Sequence, residues 1–366
     1  MIERLPTEFT EWSQRVEQLF ADASLTEDND SNDFCRRFVR QMARAGLLDV
    51  FSTSPSVRAL CLLRYLIAQK TALGDLLFAM QGLGSYPITL AGNAAQKYRY
   101  LTGVGSGDLI AAFAITEPEA GSDPAAMSAR AEKTANGYRL NGVKTLISNA
   151  GLADFFTIFV RTGEGSRGVT AFILDSNAHG LRIHPLHLIG AHPIGELHLE
   201  NCELPESARL GNEGEGLRLA YSTLDIFRPT VAAAATGMAE RAFREAVSFA
   251  KNRKQFGKAI SEFQTIQFKI AEMAQYLEAS KLLIWNAATK KDEGAARITL
   301  ESAIAKSFAT EAAQQIIDQS LQIHGGIGLI KGSITERLYR DIRALRIYEG
   351  TTEILKSVIA QQILKD

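Results

Sequence analysis

The hydrophobic period of this chain changes twice, and that limits the folds open to it more than any single residue does. From Phe9 to about Leu101 apolar residues recur at three- and four-residue spacing. In SVRALCLLRYLIAQKTALGDLLFAM, Leu60, Leu63 and Ile67 mark one helix face. Gly82, Gly84 and Pro87 punctuate this region, and GVGSGD (103–108) reads as a loop. From Phe113 to about Leu204 the period drops to two. YRLNGVKTLIS, FFTIFVRT, VTAFILD and ELHLENCEL are short β-type runs, with Asn136-Gly137 and Asn141-Gly142 as hairpin dipeptides. After GNEGEG (211–216) the helical period returns. PTVAAAATGMAERAFREAVSFAKNR places Pro229 at or near a helix start or kink. Phe263, Ile266, Ile270, Met273 and Leu277 form a second stripe, and Ile354, Leu355, Val358, Ile359 and Ile363 another.

The expected fold class is α+β: an N-terminal helical domain (1–112), a middle antiparallel β-barrel or sandwich domain (113–213) and a C-terminal four-helix bundle (214–366).

Charge narrows the partners. With 40 basic and 41 acidic residues the net charge is −1, so no single-sign field draws in nucleic acid or an anionic membrane. No apolar run approaches the roughly 18 residues of a membrane span. Cys35, Cys61 and Cys202 are far apart and odd in number, a pattern of neither a disulfide framework nor a metal motif. The opening MIERLPTEFTEW lacks the apolar core of a signal peptide, and a cytoplasmic protein is expected.

Several motifs carry little. GVGSGD has Asp108 where a dinucleotide fingerprint needs its last glycine, and the two glutamates of GNEGEG would repel a phosphate, so both read as loops. His184, His187, His192 and His198 crowd together, but on a strand His184 and His187 point to opposite faces, and no metal site is assigned. QKYRYL (96–101) reads as a solvated helix end.

Two stretches can carry chemistry. FAITEPEAGSDPAA (113–126) is first of all a tight turn between strands, though its hydroxyls and exposed backbone N–H groups also suit polar ring edges or phosphates. RIYEGTTEIL (346–355) interrupts helical pattern and puts a carboxylate, Glu349, beside a helix start, where the dipole alone would favour an acid.

AITEPEAGSD (114–123), RKQFGKAISEFQTIQFKIAEM (253–273) and QIHGGIGLIKGSITERLYRDIRALRIYEGTTEI (322–354), in this order, resemble the signature regions of the acyl-CoA dehydrogenases; NGYRLNGVKTLISNAG (136–151) lies where that family's second flavin-contacting stretch falls. The resemblance runs from Phe113 to the end and is looser before it. It implies FAD as cofactor, an acyl thioester as substrate, and Glu349 as the base that takes the Cα proton while hydride passes from Cβ to the flavin. The minority branch that carries its base before the Arg-Pro pair has its counterpart here in Phe227, which leaves Glu349.

Carried over position by position, the resemblance implies flavin contacts at Thr116, Gly121, Ser122, Ile147 and Ser148. Arg253 and Phe256 match residues that a neighbouring subunit contributes, and Gln264, Gln322, Gly325, Gly326, Thr351 and Glu353 match further FAD contacts. Ser122, Asp225, Arg228 and Gly350 match contacts to the thioester arm or its nucleotide. A homodimer or homotetramer follows, with an electron-transfer flavoprotein or oxygen as acceptor. Leu146 stands where the family often has tryptophan, Ala191-His192 where a Trp-Arg pair is common, and the N-terminal part reads as shortened. These departures point to a short or polar acyl group on CoA or a carrier protein. The alternatives are a carrier-tethered hydroxyacyl or aminoacyl dehydrogenase of specialised metabolism and, more remotely, a non-catalytic helical scaffold.

Overall fold

The computed structural model describes residues 7–22, 25, 30–51 and 56–365. The first six residues, part of the segment read above for a signal peptide, lie outside the described residues. The chain forms two compact units: one is built from residues 14–55 and 76–224, the other from the segments before, between and after these.

Helices open the chain: α1 (Thr7–Leu19), α2 (Asn32–Arg44), α3 (Val57–Ala68), α4 (Ala72–Ala91), and the short α5 (Ala94–Gln96) and α6 (Thr102–Ser106) with a π-helical turn at Lys97–Leu101 between them. Amphipathic spacing explains α2, which buries Phe34, Cys35, Phe38, Val39 and Met42 along one stripe. The expected punctuation of α4 does not occur, because the helix runs through Gly82, Gly84 and Pro87. Gly84 instead serves packing: a Cβ there would meet Ala112 N at 2.7 Å, so only glycine lets helix and strand approach. The Thr157 hydroxyl donates to the Gly84 carbonyl at 2.6 Å. GVGSGD is likewise helical through Ser106 and ends at Gly107 in the left-handed conformation.

The sheet follows, with strands β1 (Ala111–Ala114), β2 (Arg130–Thr134), β3 (Gly137–Ser148), β4 (Phe155–Arg161), β5 (Val169–Asp175), β6 (Leu181–Leu186), β7 (Ile194–Pro205) and β8 (Arg209–Leu210). Their order is β6-β7-β3-β2-β4-β5-β8, with β1 also on β4. Most pairs are antiparallel, but β1 and β2 each pair β4 in parallel, so the sheet is mixed. The β2–β3 hairpin turns at Ala135-Asn136, with Thr134 opposite Gly137. Asn141-Gly142 lies inside β3 at a register shift: a bulge, not a turn. Strands β4 and β5, each buried over its first six residues and with Phe155, Phe156, Phe159 and Phe172 fully buried, supply much of this unit's core.

After β8 come α7 (Gly216–Asn252), the hairpin β9 (Lys254–Gln255) and β10 (Lys258–Ala259), then α8 (Gln264–Asp292), α9 (Thr299–His324), α10 (Ile334–Leu345) and α11 (Thr352–Ile363). Pro229 sits inside α7, which starts thirteen residues earlier than a start at Pro229 would imply (229 − 216). The bundle core joins Val231, Ala235, Met238, Ala242 and Ala246 of α7 to Met273 and Leu277 of α8, Ile316 and Ile317 of α9, and Leu338 and Ile342 of α10. Small residues on α7 let the helix axes come close. Among the described residues no helix is long and apolar enough to cross a membrane.

Candidate active site

A strained stretch of backbone in the bundle unit lies between α10 and α11. Ser333 caps α10 by accepting from Glu336 N–H, and Thr351 caps α11 by accepting from Ile354 N–H. The chain between them turns sharply: Glu349 has φ 55° and Gly350 φ 103°. A glutamate in the left-handed region stays there only when its surroundings hold it.

Three grips do so. Arg228 Nε donates to the Glu349 carbonyl at 3.0 Å. Lys306 Nζ donates to the Gly350 carbonyl at 2.7 Å. Glu311 accepts from Arg346 Nε at 2.9 Å before the bend and from the Thr352 hydroxyl at 2.6 Å after it. Among the described residues nothing accepts a hydrogen bond from the Glu349 N–H.

Although part of Glu349 reaches solvent, its Oε2 is buried and has no hydrogen-bond partner. Burial pushes this carboxyl above the ordinary range, outweighing the attraction of Arg64, Lys306 and Arg228. Arg64 is itself buried, bidentate to Asp75 at 2.8 and 2.7 Å and bonded to Thr230 Oγ1 at 2.9 Å. A carboxylate of raised proton affinity, with one free buried oxygen, is equipped to take a proton from a weak carbon acid.

The residues matched to a thioester arm divide. Gly350 is in the bend. Arg228 is turned onto the Glu349 carbonyl, and Asp225 accepts from the Thr299 hydroxyl at 2.8 Å and from Arg297 at 3.4 Å. Arg253, Gln264, Gln322, Gly325, Gly326 and Glu353 are exposed, and Gly325 and Gly326 have open space where a Cβ would stand. Phe256 is 93% exposed at the tip of the β9–β10 hairpin, where Phe256 and Gly257 both have positive φ (52° and 81°). Two-residue turns of this kind prefer Asn-Gly. The Phe256 ring is thus held out into solvent on strained backbone.

In the other unit, Thr116, Ile147 and Ser148 are brought together. The Thr145 N–H donates to the Thr116 carbonyl at 3.0 Å, which ties the 114–123 loop to the end of β3. A second register shift, between Lys144 and Ile147, turns this strand end, and Leu146 (φ 55°) and Asn149 (φ 62°) flank the Ile147-Ser148 pair in the left-handed region. Gly121 and Ser122 are exposed on the loop.

Glu117, in the same motif, is the loop's anchor. Lys144 Nζ reaches its Oε1 at 2.7 Å with both side chains buried. Ser128 N–H, Ser128 Oγ and Ala129 N–H also donate to it at 2.6, 3.0 and 3.1 Å. Burial opposes its charge, but Lys144 and these donors prevail and hold the carboxyl below the usual range. The sequence offered no sign of this beyond two opposite charges 27 positions apart.

His192 was missed as a site residue. Its Nε2 lies 2.8 Å from Ser148 Oγ. Burial pushes the imidazole down to about 4, so it is neutral in ordinary buffers. His184 and His198 pack edge to face at 4.5 Å, and His198 Nε2 meets Glu196 Oε2 at 3.1 Å. No three potential ligands cluster for a metal among the described residues.

The chain is a member of the acyl-CoA dehydrogenase family, FAD-using oxidoreductases that act on CH–CH groups. Family models for the acyl-CoA dehydrogenase middle domain and C-terminal domain match residues 112–202 and 214–364. The 3-(aryl)acrylate reductase of Clostridium sporogenes is 38% identical over 100% of this chain and 98% of its own. The caffeyl-CoA reductase–Etf complex subunit CarC of Acetobacterium woodii is 42% identical over 77% of this chain and 76% of its own. The structure is similar to butyryl-CoA dehydrogenase from Megasphaera elsdenii, with TM-score 0.93 and 30% identity over 99% of both chains. That match runs through the N-terminal region, against the expectation of a shortened one.

Proposed function

We propose that this chain binds FAD and interconverts a saturated acyl thioester and its α,β-unsaturated counterpart, with Glu349 as the base. The carrying observation is the buried, unpartnered Glu349 Oε2 on a bend held by cations at two successive carbonyls. Glu349 takes the Cα proton at this oxygen; its own unengaged N–H, with the positive field of Arg228 and Lys306 behind the bend, favours charge growing on the thioester carbonyl. FAD, when bound, supplies the two-electron acceptor for the hydrogen leaving Cβ. In the sheet unit Thr116, Gly121, Ser122, Ile147 and Ser148 are the residues that would contact FAD, and in the bundle unit Gln264, Gln322, Gly325, Gly326, Thr351 and Glu353 are the residues matched to FAD contacts. Arg253 and the displayed Phe256 reach a second copy, which makes the protein a homodimer or homotetramer. Asp225, Arg228 and Gly350 line the path of the thioester arm. The three-domain division at 112/113 and 213/214 and a cytoplasmic location complete the reading.

The substrate we infer is a short or polar acyl group on CoA. The names of the two reductase relatives favour adding aryl-propanoyl and aryl-acryloyl thioesters. In that direction protonated Glu349 returns the proton to Cα, and an electron-transfer flavoprotein, rather than oxygen, is the redox partner. A carrier-protein thioester with a hydroxyacyl or aminoacyl group is the alternative arm.

Anaerobic bleaching of the bound flavin against a panel of acyl-CoA and acyl-carrier thioesters tests the reading. Glu349→Gln should retain FAD and lose bleaching by about 10²-fold or more, the scale of a lost general base. Near-normal bleaching in that variant sinks the assignment of the base, and a protein that cannot hold FAD sinks the whole reading.

A further inference from the structure

Lys306 is a buried titratable group that the reaction above leaves without a task beyond its field. It stands on α9, 0% exposed, and the one hydrogen bond of its ammonium among the described residues goes to the Gly350 carbonyl. No carboxylate among them pairs with it directly. A buried ammonium without a paired carboxylate costs several kcal/mol, so its retention calls for a reason.

Four charged groups face it: Glu349 of the bend, Arg228 of α7, Glu311 of its own helix and Glu353 of α11. Glu311 is already engaged by Arg346 and Thr352, Glu353 lies in solvent, and Arg228 is a cation. The uncompensated buried acidic atom near Lys306 is therefore Glu349 Oε2.

We propose that Lys306 is a positioning residue for Glu349: it pins the Gly350 carbonyl so that the positive-φ bend persists, and it supplies the countercharge that lets a buried Glu349 ionise. The inference rests on Glu349 as the base, yet the coupling it asserts can be measured without turnover. Burial pushes the Lys306 ammonium down to about 8, so the countercharge weakens just above neutral pH and the proton affinity of Glu349 rises there.

The test uses the FAD-loaded protein and two substitutions: Lys306→Met, which removes charge and donor at similar length, and Lys306→Arg, which keeps the charge. Infrared difference titration of the Glu349 carboxyl, assigned by its loss in Glu349→Gln, is read without substrate. In Lys306→Met the Glu349 midpoint should rise by about one pH unit or more, and Lys306→Arg should reverse most of that. The acid limb of the pH profile for flavin bleaching should move by the same amount with KM little changed. An unchanged Glu349 midpoint in a folded Lys306→Met overturns the proposal. If Lys306→Met does not fold, nitrogen NMR of Lys306 decides: by reciprocal coupling its midpoint should fall in Glu349→Gln relative to the unmodified protein, and an unchanged midpoint overturns the proposal. Retained bleaching in Glu349→Gln refutes the base assignment separately and leaves the infrared result to judge Lys306.

Discussion

Replacing Glu117 with glutamine removes one charge of a buried pair and reverses half of a dense acceptor. In the native protein the carboxylate receives Lys144 at 2.7 Å, Ser128 N–H at 2.6 Å and Ala129 N–H at 3.1 Å. The glutamine amide keeps one accepting oxygen, and its NH2 faces donors. Lys144, 0% exposed, is left with the Ile115 carbonyl at 3.1 Å and Met127 sulfur at 3.8 Å. Stranding one partner of a buried pair costs about 3–5 kcal/mol, or roughly two to three and a half powers of ten in the opening equilibrium. Hydrogen exchange of peptides from β1–β3 reads this locally, as faster exchange around 115–148. Lys144→Met should cost less, because Glu117 keeps its backbone donors, and replacing both by apolar residues should recover part of the loss. The pH dependence has a defined sign. The folded carboxyl binds its proton less tightly than the unfolded one at 4.5, so its contribution is complete above 4.5 and fades as pH falls through the lower folded value. Glu117→Gln should lack that acid-side slope. A loss under about 1 kcal/mol, or an unchanged slope, would refute the view that this pair anchors the loop.

Two further outcomes follow from geometry. The unfolded chain binds a proton at His192 near 6.5 and the folded one at about 4, so folded stability declines as pH falls between these values. His192→Gln should flatten that decline in urea titrations of the Tyr signal, and an unaltered decline would count against the part-buried Ser148–His192 contact. Gly84→Ala drives a Cβ to 2.7 Å from Ala112 N and should lower stability by about 1–3 kcal/mol, measured by exchange of the β1 amides; a neutral result would mean α4 and β1 part at no cost.

The sequence by itself determined the order of helix, strand and helix, because periods of 3.6 and 2 are local properties of the side-chain pattern. It also determined the family, through motifs spread from residue 114 to 354, and singled out Glu349. It misjudged Gly82, Gly84 and Pro87 as breaks, because glycine serves close packing as readily as turns, and which it does depends on the element opposite. Only the tertiary structure decided who holds whom. Glu117 finds Lys144 across 27 residues, Ser148 finds His192 across 44, Lys306 finds Gly350 across 44, and Arg228 finds Glu349 across 121. A lone charge or histidine reads as surface until its burial is known. Burial, set by the whole fold, turns Glu349 from an acid at a helix start into a carboxyl of raised proton affinity.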